Sequence, residues 1–329
     1  MKANDRTEQA LGRLKRLRDG VDSPVNREEL LSLLTNKSNH VVGGAADLIG
    51  DWEIEEAIGA LEETFDRFME DPVKVDPTCS AKRPLVENLI KIGGCDGSLF
   101  LAAARHVQME PMWGKPVDTA ASVRGLGGRG LFSMHYPGAM EVHAELIMDR
   151  EIETRRIAVD TLTELGTNDA MLLLRIGALG QPISTLDTPP PMETITAECL
   201  SGLMKVEPEG ALDFVAKFLR GTPEQMEGAA LAIGESHHAD AFAILSGHWG
   251  RLGAYSTQLA LCLPIALTRT DEAFEFLGKV VRDAPERVAV RALEVMELFV
   301  GDPERAARIL KFAEERVEPG VAAAKRVFE

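Results

Sequence analysis

Met140-Glu-Val-His-Ala-Glu-Leu-Ile-Met-Asp-Arg-Glu-Ile-Glu-Thr-Arg-Arg-Ile-Ala-Val-Asp-Thr-Leu-Thr-Glu-Leu-Gly166 reads as two short helices around a tight polar turn. Met140, Ala144 and Ile147 follow helical spacing in the first, and Asp149-Arg150-Glu151 is the turn. In the second, Ile157, Ala158, Thr161, Leu162 and Leu165 share one stripe, and Gly166 is placed as a C-cap. Neither helix can bury its stripe alone, so the pair needs neighbours of its own kind.

The sequence supplies them. Thr154, Ala158 and Leu162 form an i, i+4, i+8 triplet on the second helix. The same pattern recurs as Val41/Ala45/Ile49, Ala81/Leu85/Leu89, Val123/Gly127/Leu131, Ile195/Cys199/Leu203, Gln225/Ala229/Ile233, Thr257/Leu261/Ile265 and Val288/Ala292/Met296. The middle residue is small in six of the eight triplets, which lets a neighbouring helix approach closely. Successive first positions differ by 40, 42, 31, 41, 30, 32 and 31 residues. The basic period is about 31, and three intervals carry roughly ten extra residues. A near-constant period in this range predicts an all-α superhelix, a solenoid of about eight helix pairs.

The inner helices resemble the HEAT-repeat family in its short bacterial form, whose pattern is Val-Arg-x-x-Ala-x-x-x-Leu-Gly. Val123-Arg124-x-x-Gly127-x-x-x-Leu131 and Thr154-Arg155-x-x-Ala158-x-x-x-Leu162 match it best. The copies at Val41 and Val288 lack the arginine, and Gln225 and Thr257 depart from the apolar first position. The resemblance runs from about Arg27 to the end. It implies an architecture shared by many scaffolds and binding proteins, and is nearly silent on activity.

The expected organisation is a capping helix within residues 1–26 followed by one continuous solenoid over 27–329. Asp5–Asp19 is charged and amphipathic, with Leu11, Leu14 and Leu17 on its apolar side. The 329 residues carry a net charge of −16, with 45% apolar, 27% charged and only 5% aromatic residues. That acidity argues against a nucleic-acid backbone or an anionic membrane as the main partner. The four cysteines are far apart and imply no disulfide framework. With no signal peptide and no membrane-length apolar run, a cytoplasmic location is expected.

The extra residues fall at one place in their repeats, after the outer helix and before the inner one. They predict three proline-bearing loops, Glu70–Cys79, Val107–Val117 and Gln181–Pro191, aligned along one rim. Asp76, Met109, Met112, Trp113, Arg124 and Asp187 are the candidate binding residues of that rim. Methionine and tryptophan are enriched in interface cores. The competing reading folds Trp113 over its own repeat. Inner-helix acids Glu87, Asp160, Glu164, Glu198, Glu227 and Glu294 are expected to make a concave groove acidic.

Other motifs carry less. Gly125-Leu-Gly127-Gly-Arg-Gly130 has the letters of a dinucleotide fingerprint but lies inside a repeat helix with no strand before it, so helix packing is expected instead. Arg124 and Arg129 flank it and suit either a partner's carboxylates or acids of the next repeat. Glu235-Ser-His237-His238-x-Asp240 is the densest cluster of metal-binding residue types, but lacks an i, i+4 pair on a helix. No nucleophile elbow, zinc-protease or phosphate-loop motif is present. No cofactor and no metal are expected.

The leading expectation is a non-catalytic scaffold that binds a protein or peptide through the rim and the acidic groove, as an adaptor or as an inhibitor of a basic partner; the acidity allows a basic partner and equally serves solubility. The second is a HEAT-like enzyme, of the bilin-lyase type or the type that excises alkylated bases from DNA. The DNA version needs basic surface, which the charge opposes.

Overall fold

The computed structural model describes residues 3–94, 97–180, 194–252, 255–314, 316–326 and 328, without the side chains of residues 3–6, 251, 252 and 255. Among the described residues there are 20 α-helices and two strands of two residues each. The chain divides into two compact units, residues 1–164 with 181–193, and residues 165–180 with 194–329. Within each, helix pairs stack as an α–α superhelix.

In the first unit the order is α1 (Ala3–Arg18), α2 (Pro24–Leu34), α3 (Asn39–Asp51), α4 (Ile58–Met69), a single-turn α5 (Pro72–Val75), α6 (Lys82–Lys91), α7 (Gly97–Ala104), β1 (Met109–Glu110), β2 (Val117–Asp118), α8 (Ala121–Ser133), α9 (Ala139–Leu146) and α10 (Ile152–Leu165). Inner helices α3, α6 and α8 pack in sequence, each with its outer partner behind it. Helix α1 lies on α2 and α3. It buries Ala10, Leu14 and Leu17 at i, i+4, i+7, while Leu11 faces solvent instead of joining the stripe.

The second unit runs through α11 (Asn168–Ala178), α12 (Thr196–Val206), α13 (Pro208–Ala216), α14 (Pro223–Glu235), α15 (Ala241–Leu252), α16 (Tyr255–Leu267), α17 (Asp271–Asp283), α18 (Glu286–Val295), α19 (Pro303–Phe312) and α20 (Pro319–Lys325). Helices α12, α14, α16, α18 and α20 succeed one another as the inner row. The C-terminal stub therefore contributes an inner helix of its own. Thr167, Thr222 and Thr270 each accept a backbone N–H at a helix start, and Thr222 with Gln225 closes a capping box.

The repeating triplets form the core. All are buried except Gln225 and Thr257, the two polar departures from the pattern. Thr154 keeps an apolar site because its hydroxyl donates to Ala121 O at 2.8 Å. The glycines of α8 receive neighbours. A β-carbon at Gly127 would meet the α7 backbone, with Phe100 O at 2.7 Å, and one at Gly125 would meet Ile157 Cβ at 2.6 Å. Close packing, not phosphate binding, explains this glycine run.

His143 on α9 is fully buried against the Phe132 ring, with centroids 4.2 Å apart. Its Nδ1 lies 3.0 Å from Ala139 O and so carries the proton, which leaves Nε2 bare. Burial drops its pKa from 6.5 to about 4. A depressed histidine pKa means that the unfolded chain binds the extra proton, so this stabilisation is complete above pH 6.5 and lost as pH falls toward 4. The difference of 6.5 and 4 corresponds to roughly 3 kcal/mol. Urea midpoints measured between pH 6.5 and 4.5 should fall steeply in the wild type and less in His143→Phe. A residual slope is expected from His106, also lowered by burial. Equal slopes in the two proteins would show that His143 is not the sensor.

Among the described residues no helix is long and apolar enough to cross a membrane.

Candidate functional site

The first two inserted segments are ordered and bonded to each other. The expected extended loop at Glu70–Cys79 instead holds α5 and a 3-10 turn at Pro77–Cys79. Asp71, Thr78 and Cys79 sit at φ values of 53°, 61° and 52°, a left-handed conformation that is costly for non-glycine residues. The expected loop at Val107–Val117 is a short antiparallel hairpin, with Met109 opposite Asp118 and Glu110 opposite Val117. The third segment, Gln181–Pro191, lies outside the described residues, and Asp187 with it.

A buried polar network holds these two segments. Asp76, with no exposed surface, accepts from Asn39 Nδ2 at 3.1 Å, Ala81 N at 2.9 Å and Lys82 N at 3.0 Å, which caps the start of α6. Its partner in charge is Lys82 Nζ at 2.9 Å, equally buried. The Asp76 carbonyl accepts from Gln108 Nε2 at 2.9 Å. The same amide donates to Glu110 Oε1 at 2.6 Å, which fixes its orientation. Gln108 Oε1, 3.1 Å from His106 Nε2, is then an acceptor, so His106 carries its proton on Nε2.

Glu110 closes the network. Its Oε1 also accepts from Thr78 N and Thr119 Oγ1, both at 2.6 Å. Burial pushes the Glu110 pKa up, but the Thr119, Gln108 and Thr78 donors and the Lys82 charge outweigh it, and the net shift is downward. The carboxylate is thus kept ionised by its donors. Beside it, burial pushes the Cys79 thiol up to about 11, which makes it a poor nucleophile near neutrality.

The far side of the hairpin is pinned by Arg124. Its Nη1 donates to Asp118 Oδ2 at 2.6 Å and to His106 O at 2.9 Å, while Nε and Nη2 fork onto Asp149 at 2.8 and 2.9 Å. Asp118 in turn accepts from Gln108 N and Ala120 N. The expectation that Asp76 and Arg124 face a partner is therefore corrected. Both are buried and fully engaged, because each joins a loop to the helix pair that carries it. Arg129 likewise bonds Glu164 on α10 at 2.8 Å.

With its polar residues turned inward, the hairpin turns its apolar ones out. Val107, Met109, Met112 and Val117 are about half exposed, and Trp113 is wholly exposed, at 106%. The reading in which Trp113 covers its own repeat is excluded by this geometry. Val107, Met109, Pro116 and Val117 also wall a groove of about 570 Å³, closed on its other side by Met148, Arg150 and Glu151 of the α9–α10 turn. Sequence reasoning missed Lys82, Gln108, Glu110, Asp118 and Thr119. The usable signal was a period of two, with apolar residues at 107 and 109 and polar ones at 108 and 110.

The inner-helix acids are partly compensated. Glu164 pairs with Arg129, Glu294 with Arg291 at 3.2 Å, and Glu87 approaches Arg83 at 4.0 Å. In the second unit, His238 Nδ1 accepts from Asp240 N at 3.0 Å, so its protonated Nε2 donates to Glu209 at 3.0 Å. Among the described residues no group of three or more His, Cys, Asp or Glu side chains is arranged to hold a metal ion.

No protein-family model matches the sequence, and no curated protein matches it. Solved structures similar in fold include these three. One is the complex of CpcE and CpcF of phycocyanin lyase from Nostoc sp. PCC7120, at 14% identity and a TM-score of 0.36 over 91% of this chain and 96% of that one. Human deoxyhypusine hydroxylase is 14% identical with a TM-score of 0.32, over 85% and 97% of the two chains. Legionella pneumophila aminopeptidase A is 12% identical with a TM-score of 0.41, and this chain covers 39% of its length. These likenesses show the helical fold alone. They do correct one expectation, that the chain is no enzyme. A lyase and a hydroxylase are by name among the similar structures, and the lack of a local catalytic motif in a sequence is no ground for excluding catalysis.

Proposed function

We propose that this HEAT-like chain binds a protein through the hairpin at residues 107–118. The observation that carries the reading is the pairing of a fully exposed Trp113 with a base that is buried, bonded and ionised. An exposed tryptophan on a mobile loop would lose much of its binding energy to ordering. Here the ordering is done in advance by Glu110, Gln108 and Arg124. The residue types at the tip, tryptophan and methionine, are those that dominate interface energetics.

Binding a protein is compatible with two roles. The chain either links its partner to other components or acts on it, as an enzyme of the bilin-lyase type acts on the protein it modifies. The hairpin serves both, since an enzyme that modifies a protein must first hold it. The DNA-directed alternative gains nothing from the site, whose exposed surface is apolar with few basic groups.

The test is affinity capture with the full chain, comparing wild type with Trp113→Ala and Met112→Ala. Trp113→Ala should weaken partner binding by at least about 30-fold, equivalent to about 2 kcal/mol. Its thermal stability should stay within about 0.5 kcal/mol of wild type, because the side chain touches nothing in its own fold. Retention of the same partner by both variants would refute the hairpin as the binding element. Mass analysis of that partner before and after incubation separates the two roles.

A further inference from the structure

We propose that the hairpin tip is a knob that enters an apolar pocket of a folded protein, with a carboxylate of that protein at the pocket rim. This deepens the binding reading above and rests on it. Trp113 stands between Pro111 and Gly114, whose φ of 106° turns the chain sharply, and nothing lies within 4 Å of a β-carbon placed at Gly114. The tip is convex and bare. Covering an indole on all sides requires a concave surface, which a folded partner supplies and an extended peptide does not.

The charge of the tip selects the partner's chemistry. Glu110 is turned inward onto three donors, and Asp118 is bonded to Arg124. Lys115 is left as the single unpaired charge between Val107 and Asp118, and it is exposed. In the adjoining groove Arg150 is exposed, and no partner for its side chain exists among the described residues. Glu151 lines the same turn and offsets it in part. Although Glu110, Asp118 and Asp149 leave the hairpin and groove together at a formal charge of −1, those three acids are engaged within the fold, and the charges the element presents outward are Lys115 and Arg150 against Glu151. A basic partner surface would meet Lys115 with like charge, whereas a rim carboxylate would pair with it.

The experiment uses the full chain with Trp113→p-benzoylphenylalanine, photo-cross-linked in native lysate, followed by mapping of the adducts. A titration of the purified partner against wild type, Lys115→Glu, Lys115→Arg and Trp113→Ala accompanies it. The expected adducts fall on residues lining an apolar concavity of a folded domain with Asp or Glu at its edge. Lys115→Glu should weaken binding by about 10-fold, and Lys115→Arg should retain it. Adducts on an unstructured segment, on a second copy of this chain or on nucleic acid would overturn the proposal, as would tighter binding by Lys115→Glu. In those cases a large loss in Trp113→Ala leaves the hairpin reading intact. No adduct, with unchanged binding by Trp113→Ala, removes both.

Discussion

Lys82→Met should lower the stability of the first unit by about 3 kcal/mol or more, the effect of leaving one member of a buried ion pair alone. Asp76 and Lys82 have no exposed side-chain surface, and their charged atoms are 2.9 Å apart. Asp76 cannot simply give up its charge, since both of its oxygens already accept hydrogen bonds from Ala81 N, Lys82 N and Asn39. Those donors soften the loss but do not replace a cation. The double variant Asp76→Asn, Lys82→Met should recover part of the stability, because asparagine keeps an acceptor for Ala81 N without a charge to bury. Urea denaturation of the three proteins, with amide exchange followed at α6 and in the hairpin, checks this. Wild-type stability in Lys82→Met would mean that the backbone donors alone satisfy Asp76.

Gly127→Ala should cost about 3 kcal/mol, against the direction that helix propensity predicts. Alanine in a helix interior is favoured over glycine by about 1 kcal/mol. At Gly127, however, the added carbon meets main chain of α7, with Phe100 O at 2.7 Å and Ala103 C at 2.9 Å, and main chain cannot rotate away. Helix α7 would have to move, and Phe100 of α7, whose ring is already packed on Gly130, would move with it. Gly247→Ala is the matched control, a glycine within α15 with nothing within 4 Å of the new carbon. It should gain up to about 1 kcal/mol. Thermal unfolding of the two variants should therefore shift in opposite directions, and a shared stabilisation would refute the close approach of α7 and α8.

The fold was legible because burial repeats. Val41/Ala45/Ile49 and Val288/Ala292/Met296 bury one side of an inner helix every i, i+4, i+8, and a small middle residue marks where the neighbour comes close. The site was legible only at its tip. Trp113 and Met112 declare themselves by residue type, whereas their support does not. Lys82 and Glu110 look like solvated charges in a sequence, since nothing local shows that their partners arrive from 6 and 32 residues away, at Asp76 and Thr78. The one local mark of the hairpin is the alternation over 107–110, too short a run to tell a strand from an irregular loop. Asp76 and Arg124 point inward, against the outward direction that their place in and beside the inserted segments suggests, because their partners come from helices and turns distant in sequence.

The bonds from Gln108 to the Asp76 carbonyl and from Glu110 to the Thr78 amide bear on how this chain can be taken apart. Repeat proteins are usually regarded as interchangeable modules, each cut and re-ordered at its loops. Here the second and third repeats are bonded through their inserted segments. Recombination or design must carry residues 70–149 as one cassette: a hairpin grafted without the upstream turn would bring a buried carboxylate with one donor missing, and one cut before Arg124 and Asp149 would lose the pin on its far side. The binding element is thus inherited as a pair of repeats, and the sequence that specifies it begins some forty residues before the tryptophan it displays.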